Sequence, residues 1–253
     1  MRAFKESEQA LAPDLAFPAL SMALSLALIV ALSAALALLS PSPALAQSAA
    51  KSLMAKAEGG DPEAQRELAL AYLSGKKGFK RNIDRGISWL AKAAEAGLPR
   101  AQLELGVLYE TGRGVSQSLA TAVAWYLKAA DGGEAEAMIR LGDACYAGSG
   151  LDKNLEEAAG WYRRAALLGS PSGQFKLGSA LYLGRGLARD RLEAARWFMR
   201  AAEGGLDEAQ FVLGVAYAEG DGLPKDMSLA REWLEKSKAQ GYKPAADYLE
   251  ALN

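Results

Sequence analysis

The chain contains no histidine and a single cysteine, Cys145. Without histidine there is no Ser-His-Asp or Cys-His pair, no HExxH zinc motif, and no imidazole base at neutral pH. One cysteine excludes an intrachain disulfide framework and any multi-thiolate metal site. An excess of base is missing too. Lys and Arg number 29 against 30 Asp and Glu, and the first 46 residues hold two of those bases (Arg2, Lys5) and three of those acids (Glu6, Glu8, Asp14). The remainder therefore carries 27 of each. Nucleic-acid binding draws on neutralised phosphates, so no nucleic-acid partner is expected. What is present, 51% hydrophobic and 23% charged residues in 253, describes an ordinary globular chain of one or two domains.

From Ala19 to Leu39 run 21 residues with no charge and only Ser21, Ser25 and Ser33 as polar side chains. As a helix this run is long enough to cross about 30 Å of hydrocarbon. Pro41 and Pro43 follow, and Ala44-Leu45-Ala46 before Gln47 fits the small-residue pattern of signal peptidase sites. The expectation is a signal peptide over 1–46, cut between Ala46 and Gln47, delivering a periplasmic or secreted chain. The length of the apolar run leaves open an uncleaved signal anchor in the inner membrane, with the rest of the chain outside the cytoplasm.

Self-similarity dominates the remaining sequence. Five tryptophans, Trp89, Trp125, Trp161, Trp197 and Trp233, stand 36 residues apart, each followed eight residues later by glycine. Glycine pairs keep the same register as Gly112/Gly114, Gly148/Gly150, Gly184/Gly186 and Gly220/Gly222, while the first copy, Gly75 to Gly78, is one residue longer. A dinucleotide-binding GxGxxG needs a third glycine where this chain has Gln117, Lys153, Arg189 and Lys225, and it needs a preceding strand. The pairs are punctuation, and no cofactor is expected.

Each unit reads as helix, turn, helix. Ala101, Leu105 and Tyr109 lie four apart on one stripe, matched by Ala64/Leu68/Tyr72, Ala137/Leu141/Cys145, Gly173/Leu177/Leu181 and Ala209/Leu213/Tyr217. Cys145 thus fills a core slot and is expected to be a buried thiol. Asn82, Ser118, Asn154, Asp190 and Asp226 open the second helices as N-caps, and Asn154/Glu157 and Asp190/Glu193 suggest capping boxes. A small residue (Gly86, Ala122, Ala158, Ala194, Ala230) precedes each Trp by three, which is expected to fill the space beside it. The pattern predicts a short lead-in over 47–60, five hairpins over 61–243 and a capping helix over 244–253. Hairpins of this kind bury their apolar faces by stacking, which gives an all-α solenoid.

These residues resemble the Sel1-like repeat, a relative of the tetratricopeptide repeat. The second unit is nearly complete, as Ala101, Leu105-Gly106, Tyr109, Gly112, Gly114-Val115, Ala122, Trp125-Tyr126, Lys128-Ala129-Ala130 and Gly133. Ser118 departs from the usual Asp, and the first unit has Ala69 for Gly and the extra Lys. The resemblance implies a right-handed α/α solenoid acting as a non-enzymatic adaptor that binds a protein or peptide. For an exported chain it also implies work in the cell envelope, with regulation of a membrane receptor or an envelope complex as one such role.

On the first helices, positions two, six and nine after the leading Ala or Gly face away from the core stripe. Polar residues are expected there, yet the face holds Leu103, Glu110, Ile139, Asp143, Tyr146, Phe175, Tyr182 and Phe211. Two readings stay open: packing against the next repeat, or a groove for a partner in which Glu110 and Asp143 tune specificity. The alternative is a carbohydrate- or cell-wall-binding module in which the same aromatics stack on sugars. Arg113 and Arg185 in the turns read as solvated. Ser74 to Lys77 matches S-x-x-K by chance, since S-D-N and K-T-G are absent, and Glu156-Glu157 are neighbours that do not share a helix face. No catalytic residue is expected.

Overall fold

The structure, a computed structural model, describes residues 43–252; the expected signal segment falls outside them up to Ser42. The chain divides into two compact units between Ala50 and Lys51. Of the first unit the described residues, 43–50, are helical and belong to α1 (Pro43–Glu58), so Ala46 and Gln47 lie on a helix. Among the described residues no helix is long and apolar enough to cross a membrane.

The second unit is an all-α solenoid. Its first helices are α2 (Pro62–Ser74), α4 (Pro99–Thr111), α6 (Ala135–Ala147), α8 (Pro171–Leu183) and α10 (Asp207–Glu219). Its second helices are α3 (Ile83–Glu95), α5 (Leu119–Asp131), α7 (Leu155–Leu167), α9 (Arg191–Glu203) and α11 (Met227–Ala239), and α12 (Lys243–Ala251) closes the array. Among the described residues there is no strand. Leu68, Leu105, Leu141, Leu177 and Leu213 of the core stripe are all buried, and Cys145 is fully so, its thiol pushed up by burial. The lead-in is more structured than its sequence suggests: Leu53 and Ala57 of α1 pack with Ala64, Leu68 and Tyr72. Ala57 accepts a hydrogen bond from the Gln65 amide at 3.1 Å, as Ala94, Ala166 and Ala202 do from Gln102, Gln174 and Gln210. α1 from Lys51 onward therefore takes the place of a preceding repeat's second helix.

All five N-caps accept from first-turn amides. The capping boxes are not completed, because the cap's own N–H is already taken. Asn154 donates it to the Cys145 carbonyl at 2.8 Å and Asp190 to that of Leu181 at 3.1 Å, which pins the second helix to the end of the first. Glu193 instead accepts from the Trp197 indole at 3.3 Å.

The tryptophans also sit differently from expectation. The closest contact inside each hairpin comes from the residue after Trp. A Cβ built on Gly142 would lie 2.4 Å from the Tyr162 ring, and Gly106, Gly178 and Gly214 face Tyr126, Phe198 and Leu234 in the same way. One residue is 100° of helix, so the deep knob and the Trp cannot share a direction. Each Trp is left half-buried under a cation three residues on, with Lys92, Lys128 and Lys236 at 4.1 Å from the ring centroids and Arg164 and Arg200 at 4.4 and 4.5 Å. The turns close over the preceding repeat. At Gly186, with φ +74°, a Cβ would lie 2.0 Å from the Leu155 carbonyl oxygen at the head of α7, so backbone meets backbone with no room for a side chain.

Candidate functional site

Stacking first helix beside first helix sets side chains of consecutive repeats against one another, and every junction on this face carries an ion pair. Arg66 of α2 grips Glu104 of α4 with Nε 3.0 and 3.1 Å from its two oxygens. Arg140 of α6 reaches Glu110 of α4 at 3.1 Å, Lys176 of α8 reaches Asp143 of α6 at 2.7 Å, and Arg191 of α9 reaches Asp221 of the last turn at 2.7 Å. Such half-exposed pairs contribute little stability, about 0–1 kcal/mol each, and chiefly fix how repeats face one another.

Tyrosines support the acids from below, Tyr126 and Tyr162 buried and Tyr182 half-buried. Tyr126 donates to Glu110, Tyr162 to Asp143 at 2.7 Å, and Tyr182 to Asp221 at 2.6 Å. Burial, then the bonded carboxylate, raises the hydroxyls of Tyr126 and Tyr162 well above the usual tyrosine range; for Tyr182 the bond to Asp221 leads. All three therefore remain donors and hold their carboxylates in place.

Between the pairs lie three clefts in succession. The first, about 210 Å³, runs over Glu110, Tyr126, Arg140 and Asp143. The second, also about 210 Å³, is walled by Asp143, Tyr146, Lys176 and Arg185 over a floor of Ala158, Ala159 and Tyr162. Here Arg185 donates to the Tyr146 hydroxyl and lies 5.4 Å from its ring centroid. The third, about 270 Å³ and the most apolar, is formed by Phe211, Val212 and Val215 with Phe198, Tyr182 and Tyr248 around them and Glu219 and Asp221 at the edge. Among the described residues no group of Cys, Asp and Glu is arranged to hold a metal ion.

The family model described as Sel1 repeat matches residues 62–98, 99–134, 135–170, 171–206 and 207–242, one hairpin each. The chain belongs to the Sel1 repeat family. Among solved structures this Sel1 repeat chain is similar to c5321, a protective antigen of uropathogenic Escherichia coli with an SLR fold, at 35% identity and a TM-score of 0.74, over 78% of this chain and 42% of that one. A Sel1 repeat protein from Oxalobacter formigenes is similar at 36% identity and a TM-score of 0.68, over 74% of each. The chitin synthase regulator SKT5 of Saccharomyces cerevisiae is 38% identical over 64 residues, which is 25% of this chain and 9% of that protein. The chain thus spans well under half of c5321 and a small fraction of the yeast regulator. Sel1 repeat proteins typically mediate protein–protein interactions, and the scaffold is generally non-catalytic.

In this Sel1 repeat protein the eight residues singled out from the sequence separate into two groups. Glu110, Asp143, Tyr146, Tyr182 and Phe211 line the clefts. Ile139 is 5% exposed and belongs to the interior, Leu103 packs against the same cluster, and Phe175 lies on the Phe198 ring at 5.5 Å. Position two after the leading residue therefore packs into the core at Leu103, Ile139 and Phe175, whereas the last of the series, Phe211, lines the third cleft. Reasoning from one helix face missed Tyr126, Tyr162, Arg140, Lys176 and Asp221, because clefts form between helices. A signal existed: Arg140 and Lys176 share a register 36 residues apart, as do Tyr126 and Tyr162.

Proposed function

We propose that this protein is a non-enzymatic scaffold of the cell envelope that holds a protein or peptide partner along the three clefts of its first-helix face. The observation that carries the reading is the succession itself. Aromatic side chains alternate there with half-exposed charges fixed by tyrosine hydroxyls, which gives desolvated anchors and a charged rim on one continuous surface. Export rests on the apolar run Ala19–Leu39 and the Ala46/Gln47 junction, and a cut there leaves Leu53 and Ala57 of α1 in the mature chain. In this reading Sel1 repeats organise an envelope complex or receptor, and catalysis lies with the partner.

The test is affinity capture of the tagged full-length chain from intact cells, beside its Tyr146→Ala/Tyr182→Ala variant, with the mature N-terminus read from the same sample. A Gln47 start and a protein retained by the wild type alone support the proposal. A Met1 start contradicts cleavage. Equal capture by both chains, or retention on purified glycan that protease treatment of the extract does not diminish, contradicts the groove.

A further inference from the structure

The second and third clefts differ in the charge they leave unanswered. In the second, Asp143 is matched by Lys176, while Arg185 meets only the hydroxyl and ring of Tyr146, so among the described residues this cleft holds one positive charge more than its acids. In the third, Asp221 is matched by Arg191, and Glu219 is exposed and touched only by the Tyr248 hydroxyl at 3.4 Å. Arg189 stacks on Tyr182 at 5.8 Å and donates to the Tyr182 carbonyl, and it does not line the third cleft. The apolar bed of Phe211, Val212 and Val215 lines the same cleft as Glu219, which stands one helical turn beyond Val215 on α10.

We propose that this face recognises a peptide segment of a partner protein whose charge runs opposite to its own: an Asp or Glu side chain against Lys176 and Arg185, an aromatic or aliphatic residue on Phe211 and Val215, and a Lys or Arg beside Glu219. The proposal deepens the groove reading above and rests on it. One repeat step is about one helix diameter, roughly 10 Å, and an extended chain covers that in about three residues. The acidic residue and the apolar anchor are therefore about three residues apart, with the basic residue beyond the anchor. Complementary rim charge of this kind selects partners and orients them, while the apolar bed supplies the contact area.

The experiment is selection of a random twelve-residue library, displayed within a carrier loop so that no peptide terminus is free, on the full-length protein and then on its Lys176→Glu and Glu219→Lys variants. Circular dichroism confirms that each variant is folded. The expected result is a set of peptides with the acidic, apolar, basic order. Their binding should fall about tenfold on Lys176→Glu and return when the peptide's acid is changed to Lys, with the mirror behaviour on Glu219→Lys. Peptides lost on Tyr146→Ala/Tyr182→Ala but showing no charge order, or indifferent to both reversals, overturn this inference and leave the groove standing. Recovery of no cleft-dependent peptide overturns both. Concentration-dependent dimers in sedimentation that Glu219→Lys disrupts assign the face to a second copy and overturn the inference as well.

Discussion

The seam inside each hairpin and the face between hairpins obey different rules. Along the seam the same parts recur in every repeat: a buried Leu, a small residue, a deep knob after Trp, and a cap bonded back to the first helix. Along the face each junction is bridged differently, by Arg66–Glu104, Glu110–Arg140, Lys176–Asp143 and Arg191–Asp221 in turn. Shape is thus set by what repeats, and on the proposed function selectivity falls to what varies, because close packing admits few solutions while a half-exposed pair costs little to change.

Substitutions should divide along the same line. Gly186→Val sets a β-branched side chain at φ +74° against the Leu155 carbonyl, and roughly 3 kcal/mol or more should be lost in denaturant unfolding; a loss below about 1 kcal/mol would mean the turn is not closed on α7. Asn154→Ala removes a cap that accepts from Glu156 and Glu157, and about 1 kcal/mol should follow. Tyr162→Phe should cost less than about 1 kcal/mol at neutral pH, since Asp143 keeps Lys176.

Tyr162 also makes a prediction about pH. Its folded value is raised, by burial first, so the stability it contributes is complete below the ordinary tyrosine range and is lost as pH climbs beyond about 10. Circular dichroism across alkaline pH should therefore show a shallower loss in Tyr162→Phe than in the wild type, and parallel curves would contradict the assignment. Smallest of all, Lys176→Met should change stability by less than about 0.5 kcal/mol while weakening the partner, which places it on the selective side of the comparison.

The seam was legible in the sequence because a 36-residue period repeats each packing position five times, and Leu177 or Asn154 can be placed from its copies. The face was legible only in part. Helical angles put Asp143, Tyr146, Tyr182 and Phe211 on one side, and they do line clefts; the same angles put Ile139 there, which the neighbouring repeat buries. Angles describe one helix, whereas Lys176 comes to Asp143 from another repeat, 33 residues away in sequence. The deep knob was missed for a related reason: Trp is the larger and more visible residue, yet Tyr162 is the one that fits against Gly142.

The most direct test of the account is amine-reactive crosslinking of intact cells followed by mass spectrometry, because lysines mark both sides. Lys176 stands on the varied face, while Lys92, Lys128 and Lys236 lie over the tryptophans of the second helices. The account predicts crosslinks from Lys176 to one protein, abolished by Tyr146→Ala/Tyr182→Ala. Partner crosslinks confined to Lys92, Lys128 and Lys236, and unchanged in that variant, would contradict it.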